Sequence, residues 1–468
     1  MTDVRKDRTR LINSVAEAKT LYAAPPADYQ GKIGLEVEMA LYKPGAVKPQ
    51  IPAAAEMLQM QADLKKRGHD AQLEAAGVLE YASPPVPIAD TPKLIAQARA
   101  DIALFETEAA KHGYKRTVFS ILPTTTREEA LERKVGRERL EAALAVINDI
   151  YTPETANIPL LTTGVQASLS PRDHDEMFNM ARRGYALTPL LIAAMNSGSG
   201  YACNDNTRQD AHVRSKYYEI YGASGGISEA FLQSRSGDEL VENHIRAVFD
   251  TPMFFAFTAA GEMVRSTKDN VITFRKLMEQ GMNTQANFEL AESFLYNDIK
   301  ICNLRDGEGN AVGKRIELRP ADSGLHQPAS VLLLAAALIP DGKTAEAFDV
   351  LLKDYGFTNS PPQDAALLKA SRAAAVDHAG RFMDVRFGTG SLRDFAADVA
   401  GLVSSHYAQE REVQRDVSTL CDILLTGECD AKRHAEKYKT LADVTTELQK
   451  TASPAPTAQT MPAQKRTM

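Results

Sequence analysis

The sequence predicts an α+β protein: a curved antiparallel β-sheet with helices over one face and a helical region at its C-terminal end. Three observations carry that expectation. The stretch Ile33-Gly34-Leu35-Glu36-Val37-Glu38-Met39-Ala40-Leu41-Tyr42 alternates apolar and acidic residues, so a strand there sends Leu35, Val37 and Met39 to one face and Glu36 and Glu38 to the other. Far along the chain, Arg315-Ile316-Glu317-Leu318-Arg319-Pro320-Ala321-Asp322 alternates too, with Arg315, Glu317 and Arg319 on one face. From about Phe348 onward the pattern turns helical and Ala-rich.

The elements follow in order. Leu11, Ile12, Val15, Ala18 and Leu21 have near-helical spacing, which predicts an N-terminal helix over 5–23. Pro44, Pro49 and Pro52 punctuate the exit from the first strand, and Ala53 to Arg67 reads as a helix stopped by Gly68. Two short strands flank the Ala76-Gly77 turn, with Glu74 and Glu80 in strand positions and Pro84-Pro85 ending the second. Leu94, Ala98, Ile102 and Phe105 mark an amphipathic helix from Pro92 to Gly113. Val118–Leu122 reads as a short strand, Arg127–Ile150 as a charged helix, and Leu160–Ser170 as a strand on which Gln166 and Ser168 share a face. A helix over Asp173–Met195, broken near Pro189, leads into the Gly/Ser-rich loop Asn196–Gly200, which lacks the order of a P-loop or dinucleotide fingerprint. Pro252–Phe257 reads as an apolar strand and Pro328–Ile339 as a buried helix. This organises the chain as an N-terminal helix in 1–30, a catalytic α+β domain in 31–347, a helical region packed on it in 348–450, and a Pro-rich tail in 451–468 expected to be disordered.

Composition narrows the function. A chain of 468 residues is too long for one small core. A net charge of −7, with no run of Lys or Arg to track a phosphate backbone, argues against nucleic acid as a partner. The longest apolar run, Val331–Ile339, is far too short to span a bilayer, so no membrane partner is expected. The opening MTDVRKDRTR lacks an apolar signal segment, which makes the cytoplasm the expected location. Cys203, Cys302, Cys421 and Cys429 show no metal-ligand or disulfide spacing and are expected to be reduced.

The residues that carry chemistry are Glu36, Glu38, Glu80 and Glu317, with Arg319 two positions beyond the last. Carboxylates on several strands converge only where the sheet is curved and they line its concave face. Such a cluster repels itself unless cations hold it, and hard oxygen donors without His or Cys select Mg²⁺, or alternatively Mn²⁺. Magnesium held by few carboxylates completes its shell with water and nucleotide phosphate, and Arg319 would offset charge on a transferring phosphoryl group. The pattern points to ATP-dependent phosphoryl chemistry.

The runs GLEVEM, LEYASPPV, TTGVQASLS followed by DEMF and ALTPLLIAAMNS, and IELRPAD, in this order over most of residues 31–340, resemble the glutamate–cysteine ligases, in particular the second family of plants and proteobacteria. The resemblance implies the fold of the glutamine synthetase catalytic domain, a curved sheet forming a funnel open at both ends. It implies that Glu36, Glu38, Glu80 and Glu317 are Mg²⁺ ligands, Glu36 among the catalytic residues, that Arg319 contacts phosphate, and that Gln166 falls at a nucleotide-side position where some relatives have His. The implied reaction joins the γ-carboxylate of glutamate to an amine through an acyl phosphate, and for cysteine yields γ-glutamylcysteine, the first step of glutathione synthesis.

The chain departs from that pattern on the substrate side. It reads Asn196-Ser197-Gly198-Ser199-Gly200 where relatives have an Asn-Ser-Pro-Phe turn, and Arg214-Ser215-Lys216-Tyr217-Tyr218 where relatives follow Arg with Trp. Arg214 is the candidate for gripping a substrate carboxylate, with Tyr217 beside it. Asp322 is a candidate for orienting Arg319, and His212 and His326 carry no assigned role. Three readings follow: a ligase joining glutamate and cysteine, a ligase of this fold with another acid or amine, and a non-catalytic nucleotide-binding or regulatory protein. Small-molecule substrates are the expected partners, and the sequence leaves the oligomeric state open.

Overall fold

The computed structural model describes residues 7–450 apart from 46–47, 75, 137, 151–160, 210–211, 379–380 and 382–384, with the side chains of all of these except 148, 217, 220 and 223. Its centre is an eight-stranded sheet: β1 (Lys32–Tyr42), β2 (Ala71–Leu73), β3 (Val78–Ala82), β4 (Val86–Pro87), β5 (Lys115–Arg116), β6 (Gly164–Leu169), β7 (Ile299–Arg305) and β8 (Ala311–Asp322). The order is β7-β8-β6-β1-β3-β2, with β4 and β5 also pairing along β1. Every pairing in it is antiparallel, and the sheet curls into a half-barrel. Between Leu318 and Ala321 the register of β8 against β6 shifts, at the position of Pro320, which has no N–H to give to a ladder. There the Arg319 N–H turns away and donates to the Asp298 carbonyl at 2.9 Å.

Burial along β1 alternates as its sequence predicts: Ile33, Leu35, Val37 and Met39 are buried, while Glu36 and Glu38 are partly exposed on the other face. The apolar face packs beneath helices Thr91–Lys111, His174–Ala194 and Gln327–Leu338. The C-terminal helices share that core, since Phe348, Leu352, Phe395, Val399 and Leu420 belong to the same cluster as Leu35 and Ile316. All four cysteines are free. Among the described residues no helix is long and apolar enough to cross a membrane.

Several elements differ from expectation. Helix at the N-terminal end is confined to Val15–Lys19, followed by a 3-10 turn, Thr20–Tyr22. Val118–Leu122 is no strand: the sheet takes β5 just before it, Thr117 donates to the Ala40 carbonyl, and the buried run then leaves with one bridge, Ile121 to Thr162. The charged helix divides into Arg127–Arg133 and Glu138–Ile150. Conversely, Pro189 does not break its helix, which runs unbroken over His174–Ala194. The strand expected at 252–257 narrows to Phe255–Phe257 and pairs with Met263–Arg265 outside the main sheet. Glu74 lies just past the end of β2, and the tail beyond 450 lies outside the described residues.

Candidate functional site

Register alone brings the four glutamates to one face. Glu38 in β1 stands opposite Glu80 in β3, Glu36 opposite Gln166 in β6, and Glu317 in β8 opposite Ser168, which in turn faces Gly34. Directly opposed residues of antiparallel strands share a face. The strands thus deliver Glu36, Glu38, Glu80, Gln166, Arg315, Glu317 and Arg319 to one concavity.

Their hydrogen bonds form a continuous chain. Glu38 accepts from the Gly164 N–H at 2.6 Å, from Gln166 Nε2 at 2.9 Å and from Arg214 Nη1 at 3.1 Å. The Gln166 carbonyl oxygen accepts from Arg319 Nη1 at 2.8 Å, and the same nitrogen donates to Glu317. Arg315 Nη2 donates to Glu36 at 3.0 Å and to Glu317 at 2.8 Å, bridging two of the candidate metal ligands. Glu80 stands apart, with no cation paired to it among the described residues.

The electrostatics follow from this uneven pairing. Burial alone would raise the Glu317 carboxyl, but Arg319 and Arg315 outweigh it and bring it down to about 2. Burial, and then the nearby carboxylates Glu74, Glu38, Glu36 and Glu317, push Glu80 up to about 9. Glu36 is raised as well, by burial and by Glu317, more than Arg315 and Arg319 lower it. A buried face with more carboxylate than its guanidiniums neutralise calls for additional positive charge.

The donor set fits hard divalent cations. Every candidate ligand is a carboxylate on a rigid strand, and no His or Cys belongs to the set. No three of the four have carboxylate oxygens all within 4.8 Å of one another; the single group among the described residues that meets that limit is Asp63, Glu108 and His112, elsewhere. There Glu108 is already paired with Arg67 and Lys111, each at 2.9 Å. The wider spacing on the sheet leaves room for water and phosphate oxygens in a cation's shell, as Mg²⁺ requires.

Arg214 enters from the helix Val213–Tyr218, buried to 3% exposure, and its guanidinium lies over the Tyr218 ring, 5.6 Å from the centroid. Arg319 approaches the same ring at 6.0 Å. Gly164 makes this entry possible, since a Cβ there would fall 1.8 Å from Arg214 Nη1. The side chain of Tyr217 lies outside the described residues. Asp322 does not orient Arg319: it accepts from the Ser197 N–H at 3.0 Å and lies 3.0 Å from His212 Nε2, fixing the start of the Arg214 helix. His326 lines a cavity behind the sheet with Leu35 and Arg116. Beside Glu36 and Arg315 a second cavity of about 300 Å³ opens, bordered by Lys32, Ser83, Ser168 and Arg305. The buried Ser168 Oγ and Arg315 Nε make no hydrogen bond among the described residues.

Three contributors have no assigned role in the sequence. Alternation puts Arg315 on the same face as Glu317, two residues away, and that signal points to it. His212 and Tyr218 act through contacts between distant segments, for which a single sequence holds no local signal.

The family described as glutamate–cysteine ligase family 2 matches residues 32–446. No curated protein matches the chain. Among solved structures, a glutamate–cysteine ligase of Francisella tularensis in complex with AMP aligns with a TM-score of 0.56 and 11% identity, covering 89% of this chain and 88% of its own. The ligase PafA in complex with the prokaryotic ubiquitin-like protein Pup aligns with a TM-score of 0.31 and 10% identity, over 87% of this chain and 67% of its own.

Proposed function

The chain belongs to glutamate–cysteine ligase family 2, and on that premise we propose that it is the ATP- and Mg²⁺-dependent enzyme that joins the γ-carboxylate of glutamate to the amine of cysteine. The observation that carries this reading is the shared face of Glu36, Glu38, Glu80 and Glu317 beside Arg319. Glu36, Glu38, Glu80 and Glu317 would hold the cations, which when bound offset charge on the phosphates of the nucleotide. Arg319, fixed by Gln166, Glu317 and Tyr218, presents its guanidinium where the phosphoryl group transfers. Arg214 grips the carboxylate of the acid substrate, its guanidinium already oriented by Glu38 and the Tyr218 ring. The γ-carboxylate oxygen attacks the γ-phosphorus of ATP with ADP leaving, and the amine then attacks the acyl carbon of the γ-glutamyl phosphate, releasing phosphate. No protein nucleophile is required.

The test is phosphate release from Mg-ATP with glutamate alone, with glutamate plus cysteine, and with a panel of other acids and amines. Release that needs both glutamate and cysteine supports the reading. A second reading, a ligase of this fold with a different acid or amine, is favoured by the loop Asn196–Gly200 and by Tyr218 against Arg214 and Arg319. It gains if another pair gives release, and the absence of release with every pair supports a binding or regulatory protein. We assign the catalytic work to 31–347 and treat 348–450 as a helical region of the same folded body, sharing its core.

A further inference from the structure

Arg315 aside, two arginines reach the acidic face on separate segments: Arg319 on β8, and Arg214 on the helix Val213–Tyr218. A third arginine, far from that face in sequence and placed in the C-terminal helical region, touches the supports of both. Arg372 lies on the helix Pro361–Asp377 and is 6% exposed. Its Nε donates to Asp298 Oδ2 at 2.5 Å and its Nη2 to Asp298 Oδ1 at 3.3 Å, a two-toothed grip on a carboxylate that is 1% exposed. The backbone carbonyl of that same Asp298 accepts the N–H of Arg319. The opposite side of the guanidinium reaches the other segment: Nη1 donates to Glu219 at 2.9 Å, and Nη2 to the Ser215 carbonyl at 3.4 Å. Ser215 follows Arg214 directly, and Glu219 follows Tyr218. The end of this helix adds two ties, with His212 N–H donating to the Val376 carbonyl at 2.8 Å and Lys216 Nζ to Asp377 at 3.3 Å.

We propose that Arg372 is a positioning residue, through which the C-terminal helical region sets the separation between Arg214 with Tyr218 on one side and Arg319 on the other. The planar fork is the reason. A guanidinium donates in several fixed directions at once, whereas an ammonium is a point charge whose donors hold no plane, so lysine keeps the charge and loses the register between segments. Arg372 touches none of the acidic-face residues itself. Its effect on substrate passes through Asp298 and through the Ser215–Glu219 turn. The acid substrate, held by Arg214, depends on that spacing directly, while the nucleotide side is tied to Arg372 only indirectly, through the Asp298 carbonyl that accepts the backbone N–H of Arg319.

For its kinetic part the proposal rests on the ligase reading. The experiment compares Arg372→Lys, Arg372→Ala and Glu219→Gln with the wild type in full-length protein. In Arg372→Lys the KM for the acid substrate should rise about 10- to 100-fold, the size expected when a group that orients a ligand-binding residue is lost. The KM for Mg-ATP should change less than about twofold, and Glu219→Gln, which keeps an acceptor for Nη1 but removes the charge that strengthens that bond, should fall between Arg372→Lys and wild type. Amide hydrogen exchange should speed up at 212–219 in Arg372→Lys while β1 and β6 keep wild-type protection. That exchange reading does not depend on substrate identity, so it distinguishes failure of this proposal from failure of the ligase reading. Unchanged KM values with kcat falling in step with the folded fraction would overturn the proposal, as would an equal rise in the KM for Mg-ATP or uniform exchange in Arg372→Lys. Arg372→Ala gives the upper bound, and if it fails to fold the other two variants still decide.

Discussion

Two buried groups of charges lie on opposite faces of one strand, and they are built on opposite principles. Lys314 and Arg315 are neighbours in β8, so the pleat sends them to different faces. On the far side Lys314 donates to Glu292 at 2.5 Å and to Asn303 at 2.7 Å, while Glu292 also accepts from Tyr22 at 2.5 Å and meets His244 at 3.2 Å. Every member of that set has a partner, and its charges match. Across the sheet, Glu80 has no cation paired to it among the described residues, and Arg315 is divided between Glu36 and Glu317. A balanced buried cluster fixes how segments pack, and an unbalanced one is a place prepared for ligands.

The contrast breaks most readily at the acidic face. Glu36→Gln should lower turnover by at least about a thousandfold while the melting temperature stays within about 3 °C of wild type, read by phosphate release and by a thermal scan. Wild-type-like rates would remove Glu36 from the site. The balanced cluster should behave the other way. Lys314→Met strands Glu292 and should cost about 3–5 kcal/mol in denaturant unfolding, and adding Glu292→Leu should restore much of it, because two apolar groups leave no buried charge. A benign single variant would show that the pairing is idle.

Finer differences sharpen the same comparison. Arg214→Lys should raise the KM for the acid substrate about tenfold and leave Mg-ATP affinity near wild type, measured by varying each substrate in turn. The smallest effects are those of pH, and they carry opposite signs. Burial pushes Glu292 up, but Lys314 and His244 outweigh it and bring its carboxyl from an ordinary 4.5 to about 2. Its contribution to stability is therefore full above about 4.5 and is lost as the pH falls toward 2. Glu80 is raised from 4.5 to about 9, so the stability linked to it is full below about 4.5 and is lost as the pH climbs toward 9. Metal-free protein should thus melt progressively lower from pH 5 to 9, and Glu80→Gln should flatten that slope without changing the acid limb.

The sequence made the face legible wherever chemistry and strand period coincide. Alternation at 33–42 placed Glu36 and Glu38 correctly, and 315–322 did the same for Glu317 and Arg319, because a half-buried strand leaves a period of two that survives any tertiary context. The family resemblance supplied the curved sheet, which periodicity alone does not specify. Where apolar runs are short the signal fails: Val118–Leu122 has a strand's composition but lies buried without a ladder, and the N-terminal periodicity overstates five residues of helix. Asp322 shows a further limit. Its place two residues past Pro320 suggested service to Arg319, yet the register shift at that proline turns the chain so that it meets Ser197 and His212 instead.

One hydrogen atom in β6 has a consequence out of proportion to its size. At residue 164 the backbone makes no demand that only glycine meets, and the atoms a methyl would strike belong to the movable tip of a long side chain. Alanine would leave the architecture intact and evict the guanidinium from its seat. Such a replacement separates folding from recognition, and a library randomised at 164 should return many well-folded proteins and very few that still select their acid.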